Sequence, residues 1–76
     1  MKTFEQIAAE VFKIPETAIN DNLSSKDIPS WDSMNYLFFI AELEKRFDLS
    51  FTMDEVMSAQ TLGNIRAAVQ KNGKNL

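Results

Sequence analysis

Both prolines of the chain, Pro15 and Pro29, fall within one polar stretch, residues 15 to 32. A proline inside a helix removes a backbone hydrogen bond and clashes with the preceding turn. Confining both to one stretch limits the break in regular structure to that stretch and leaves the rest of the chain free to be helical. The same stretch holds Asn20, Asp21, Asn22, Ser24, Ser25, Asp27 and Ser30, whose short side chains bond to nearby backbone in turns. Ile19, Leu23, Ile28 and Trp31 recur through it and are expected to pin the loop onto the helices. A loop this long is unusual in a small domain, and such loops are commonly functional.

Outside the loop the apolar residues follow helical spacing. Phe4, Ile7, Ala8, Val11 and Phe12 fall on one helix face. The first helix is expected from Thr3 to Lys13, with Thr3 as N-cap, Gln6 as its capping-box partner and Ile14-Pro15 as the stop. The second is expected from Asp32, a favoured N-cap whose charge suits the helix dipole, to near Phe47-Asp48. A short third helix runs from Met53 to Ala59, started by Thr52 and Glu55 as a capping box. A fourth runs from Leu62 to Gln70 after Thr61, with Leu62, Ile65, Ala68 and Val69 on one face and Asn72-Gly73 as its end. The fold class is therefore all-α: a small four-helix bundle, three main helices and the short third, with a long loop between helices one and two. A chain of 76 residues, 45% of them hydrophobic, has room for one domain. Residues 3–71 are expected to form its ordered part and residues 72–76 to fray. The opening Met and the short polar end suggest a free-standing protein, although a domain excised from a longer chain would look similar.

Composition removes several kinds of chemistry. The chain has no cysteine and no histidine. Disulfides, the usual zinc, haem and iron–sulfur sites, and Ser–His or Cys–His catalytic units all lose their ligands or bases. Asn20-Asp21-Asn22 lacks the glycine and the terminal glutamate of a calcium loop, so no metal site is expected. Gly63 and Gly73 stand alone and make no phosphate-binding loop. Asp54 and Glu55 are adjacent on a helix start, so their side chains diverge, and no catalytic pair is expected. The net charge of −3 comes with no basic stripe, which argues against nucleic acid. The longest apolar run, Tyr36 to Ala41, is far short of the ~20 residues that span a bilayer, and an acid stands at Glu5 where a signal peptide needs apolar residues. A cytoplasmic setting, no membrane association and a monomer are expected.

The second helix carries two apolar faces. With about 100° per residue, Tyr36, Phe39, Ile40, Leu43 and Phe47 fall on one side and Met34, Leu37, Phe38 and Ala41 on another. The first set reaches the helix end and carries most of the aromatics, so it is assigned to the core, with Phe4 and Phe12 meeting it. The second set begins beside Ser33 and is surplus to a bundle that needs one apolar face. Either the long loop covers it or it is an exposed contact surface, because contiguous apolar patches commonly mark interaction sites. Residues 32 to 55 carry six acids against two bases, while the rest of the chain is close to neutral. A one-sign surface of this kind steers a basic partner.

Ser33 stands at the loop-to-helix junction. Asp32-Ser33-Met34, following Ile28-Pro29-Ser30-Trp31 and preceding the run Leu37 to Phe47, resembles the phosphopantetheine attachment region of acyl carrier proteins. The resemblance extends over nearly the whole chain: the amphipathic first helix, the long loop, the Leu43-Glu44-Lys45-Arg46-Phe47 helix end, the short helix after Thr52 and the last helix from Thr61. Met34 stands where that family usually has leucine, a swap of similar volume.

The resemblance implies an acyl-carrier fold and a carrier that catalyses nothing itself. Ser33 would accept 4′-phosphopantetheine covalently from coenzyme A, through a separate magnesium-dependent phosphopantetheinyl transferase. Asp32 would cap the helix beside it and help to present it. Cargo would ride as a thioester on the arm, and many such carriers hold a growing chain inside the bundle. Met34, Leu37, Phe38 and Ala41, with Glu44, fall where carriers of this kind meet acyl-loading and acyl-processing enzymes, whose docking surfaces are basic. The family often has a carboxylate at Phe38 and more acids at Lys45 and Arg46, so this chain's partners are expected to differ from the usual fatty-acid synthesis enzymes. Fatty acyl, polyketide, aminoacyl and peptidyl cargo all remain open, as does an unmodified, carrier-shaped interaction module.

Overall fold

The computed structural model describes residues 2–73. Four α-helices follow one another: α1 (Phe4–Phe12), α2 (Ser33–Phe47), α3 (Met53–Ser58) and α4 (Leu62–Lys71). No strand occurs among the described residues. The ends fall within a residue or so of the positions read from sequence. The expected fraying lies partly outside the described residues; within them, Asn72 and Gly73 close α4, the Gly73 N–H donating to Gln70 O at 2.9 Å with φ at 83°.

Local caps set each helix start. Thr3 Oγ1 accepts from the Gln6 N–H while Gln6 Oε1 accepts from the Thr3 N–H, and Thr52 and Glu55 repeat the reciprocal pair on α3. Such a box satisfies two of the backbone donors that a helix start leaves open. A third box, Thr61 with Asn64, opens α4. It went unread because an asparagine, not the usual Glu or Gln, closes it. At the far ends, α1 and α2 stop on left-handed residues, Lys13 with φ 58° and Asp48 with φ 53°.

The core is apolar throughout. Phe4, Ile7, Ala8 and Phe12 of α1 meet Phe39, Ile40, Leu43 and Phe47 of α2, and Leu62, Ile65 and Val69 of α4 close the third side. These are the faces that helical spacing selected, except that Val11 of α1 and Ala68 of α4 are only half-buried and Tyr36 of α2 packs at the core edge.

The long connection is ordered by the same apolar residues that punctuate it. Ile28 is buried, and Ile19, Leu23 and Trp31 pack on the core. One turn of 3-10 helix, Glu16–Ala18, breaks the stretch read as loop. Farther on, the chain lies along the start of α4: Leu62 N–H donates to Leu23 O and Gly63 N–H to Asp21 O, both at 3.0 Å. A Cβ on Gly63 would stand 2.9 Å from Asp21 O, so glycine is what lets the loop approach. Arg66 of α4 then ties three segments together. Its Nη2 donates to Glu5 of α1 at 2.6 Å, its Nε to Asp21 of the loop at 2.8 Å, and its guanidinium lies over the Phe4 ring.

Candidate functional site

Ser33 is the first residue of α2, and its surroundings hold it still. Trp31 N–H donates to Ile28 O and Asp32 N–H to Ser30 O, each at 3.0 Å. Asp32 Oδ1 accepts from the Asn35 N–H at 2.8 Å, capping the helix as its position in the sequence implies. Asn35 adds a second tie that sequence reading missed: its side-chain amide donates to Ser30 O at 2.8 Å, lacing the first turn of α2 to the loop that enters it. An asparagine in the second position after a serine gives no signal by itself, because its acceptor is a backbone carbonyl set by the loop.

The Ser33 side chain takes no part in this lacing. The residue is exposed, and among the described residues no hydrogen bond engages its hydroxyl. Of the four backbone N–H groups at the start of α2, Asn35 and Tyr36 give theirs to Asp32. Those of Ser33 and Met34 remain at the positive end of a 15-residue helix. A phosphate ester on Ser33 Oγ would lie where that end favours negative charge. The residues present therefore fit such a group, with the carboxylate of the adjacent Asp32 as an opposing charge.

The second apolar face of α2 lies in the open beside it. Met34 is 80% exposed, Leu37 59% and Phe38 54%, and Ala41 is exposed as well. The long loop covers other parts of the bundle. Glu44 is placed differently from these four. It is half-buried, and its Oε2 accepts from the Phe51 N–H at 2.9 Å, fastening the α2–α3 connection. On the side of α2 toward α3, the Tyr36 hydroxyl donates to Val56 O at 2.7 Å. Burial holds the Tyr36 phenol above its ordinary pKa, so it stays a donor at any physiological pH. Val56 faces the core while Met53 and Met57 of α3 stand about three-quarters exposed. They are a further pair of exposed apolar side chains, on a second helix.

A small helical bundle that presents an exposed serine hydroxyl at the first turn of a capped helix, with apolar side chains left in the open beside it, has the form of a carrier domain. Comparison with known proteins gives the family. The model for the phosphopantetheine attachment site matches residues 2–69, and the chain belongs to that family. Its fold is similar to that of a Mycobacterium tuberculosis protein provisionally described as an acyl carrier protein, with a TM-score of 0.77 at 20% sequence identity, over 91% of this chain and 97% of that one. At that identity the likeness is one of fold. No curated protein matches the chain in sequence. Among the described residues no helix is long and apolar enough to cross a membrane, and no cluster of acids forms a metal site.

Proposed function

We propose that Ser33 is the attachment point of 4′-phosphopantetheine and that the protein shuttles acyl groups between partner enzymes. The observation that carries this reading is the exposed, unengaged Ser33 hydroxyl on a helix turn laced in place by Asp32 and Asn35. A modifying enzyme can reach the hydroxyl without unfolding the turn, and a fixed nucleophile reacts with less loss of freedom than a mobile one. Asp32 holds the turn through its Oδ1, and the chain has no histidine, so the transferase brings the base that takes the Ser33 proton as Oγ attacks the diphosphate of coenzyme A and the nucleotide leaves. When bound, the group supplies a thiol at the end of a flexible arm, on which cargo is held as a thioester.

Partner enzymes meet the face of Met34, Leu37, Phe38 and Ala41. These side chains lie beside Ser33, and their burial against a partner removes apolar surface from water. Glu44 acts behind that face, by holding the α2–α3 connection. The acids of residues 32 to 55 favour a basic partner surface and faster encounter. Lys45, exposed and four residues beyond Ala41, adds a positive charge at the far end of the same stripe, which selects against partners that are basic along their whole length.

The test is intact-mass analysis after incubation with coenzyme A and a broad-specificity phosphopantetheinyl transferase. The wild type gains one phosphopantetheinyl group and Ser33→Ala gains none. Full labelling of the alanine variant would remove the assignment. An unlabelled wild type in the folded state would favour an interaction module of carrier shape.

A further inference from the structure

Phe39 is fully buried where α1, α2 and the loop meet, and rings surround it. Phe4 contacts it edge-on with centroids 5.5 Å apart, and Phe12 lies 5.1 Å away on another side. Phe12 in turn stacks on Trp31 at 5.1 Å, and Trp31 on Tyr36 at 5.6 Å. Five rings therefore run without a break from Phe4 at the start of α1 to Tyr36 near the start of α2. Trp31 and Tyr36, which finish the stack, stand two residues before and three residues after Ser33. Tyr36 is also fastened across to α3 through Val56 O. Behind the rings, Leu43, Leu62, Ile65 and Val69 are at most 1% exposed. Two clefts lie at the surface. One is bordered by Trp31, Asn22, Lys26, Gln60 and Thr61, another by Ala59, Asn64, Ala67 and Lys71.

Resting on the carrier reading of Ser33, we propose that the Phe4–Phe39–Phe12–Trp31–Tyr36 stack closes the interior to acyl chains, and that the protein carries short or polar acyl groups outside its core. A close-packed interior admits added volume only by displacing what fills it. Here the displaced groups would be interlocked rings, with Tyr36 held by a hydrogen bond to the next helix. A long alkyl chain left outside would stay in water, which is disfavoured in proportion to its apolar area. A short, hydroxylated, aminated or carboxylated acyl group carries no such penalty. The cleft beside Trp31 offers it amide and hydroxyl partners, and offers a carboxylated group the Lys26 ammonium as well.

The holo protein loaded with an acetyl or an octanoyl thioester, each confirmed by intact mass, tests this. Trp31 is the only tryptophan, so its emission reports directly on the stack. The expected result is the same thermal midpoint and the same Trp31 emission for both forms. In Phe39→Leu, which shortens the stack without emptying it, octanoyl is expected to raise the midpoint above that of the acetyl form, because cargo bound in the native state stabilises it. A rise in the wild type, with chemical-shift changes centred on Phe39 and Leu43, would overturn the proposal. So would an octanoyl form of Phe39→Leu that behaves like the wild type, since the stack would then not be the barrier. A chain that takes up no phosphopantetheine at all would instead overturn the carrier reading, and this proposal with it.

Discussion

At the scale of single residues, the turn that presents Ser33 depends on one carboxylate and one amide. Asp32→Ala removes the acceptor of the Asn35 N–H and is expected to cost about 1 kcal/mol, a fall of roughly 4–8 °C in the melting midpoint of a domain this size. Asp32→Asn keeps an acceptor at the same place and should lose far less. Thermal melts of the two variants separate capping from charge, and slower modification of Asp32→Asn at unchanged stability would assign the charge to presentation of the serine. Arg66 sets a different dependence. Burial by itself would raise the Glu5 pKa, but the hydrogen bond and charge of Arg66 outweigh it and hold the carboxyl below its ordinary value of 4.5. A folded-state pKa below the unfolded one means stability that is present above about pH 4.5 and lost as pH falls through the folded value. Acid unfolding followed by circular dichroism should therefore be shallower below pH 4.5 for Glu5→Gln than for the wild type. An identical profile would leave the Arg66 tie without energetic weight. Asp32 as a cap was legible in the sequence because its acceptor role is local. The Arg66 clamp was not, because its partners lie 45 and 61 residues away along the chain.

At the scale of elements, α2 decides how the molecule divides its labour. Its period places Leu43 in the core and Leu37 in the open, and the two are fully buried and 59% exposed. Leu43→Ala is expected to cost about 2–5 kcal/mol. Leu37→Ala should stay within about 0.5 kcal/mol while slowing loading or transfer by a partner. Equal losses of stability in the two variants would return the outer face to the core. Helix identity was readable here because cap and apolar period agree in α1, α2 and α4, while α3 was marked by its capping box alone. The roles of Glu44 and Tyr36 were not, since each bonds to a backbone atom of the following segment whose position only the packed structure supplies. The 3-10 turn at Glu16–Ala18 was hidden for a related reason: one turn is too short to show a period. The sequence could mark the outer face of α2 as surplus but could not choose between a covering loop and open solvent. That choice followed from where Ile28 and Trp31 carry the loop, onto the core near Phe12 rather than across Leu37.

At the scale of the whole molecule, the bundle fixes a serine at one helix start and leaves the chemistry to its partners. With a radius of gyration of 11.2 Å and a core of interlocked rings, it has little interior to lend to cargo. On the proposed reading, the acids and the apolar face govern which enzymes it meets. All of this depends on Ser33 being the residue that carries the arm, and the chain has six serines: Ser24, Ser25, Ser30, Ser33, Ser50 and Ser58. Four of them fall within the loop and its junction with α2, so whole-molecule mass alone does not place the group. Trypsin cuts after Lys26 and Lys45 and releases residues 27–45 as one peptide that contains Ser30 and Ser33. The most direct measurement is fragmentation of that peptide from the modified wild type. The added phosphopantetheinyl mass should appear only in fragments that include Ser33, with Ser30 unmodified and the other four serines unmodified on their own peptides. The group on Ser30 or on any other serine, with Ser33 bare, would contradict the account.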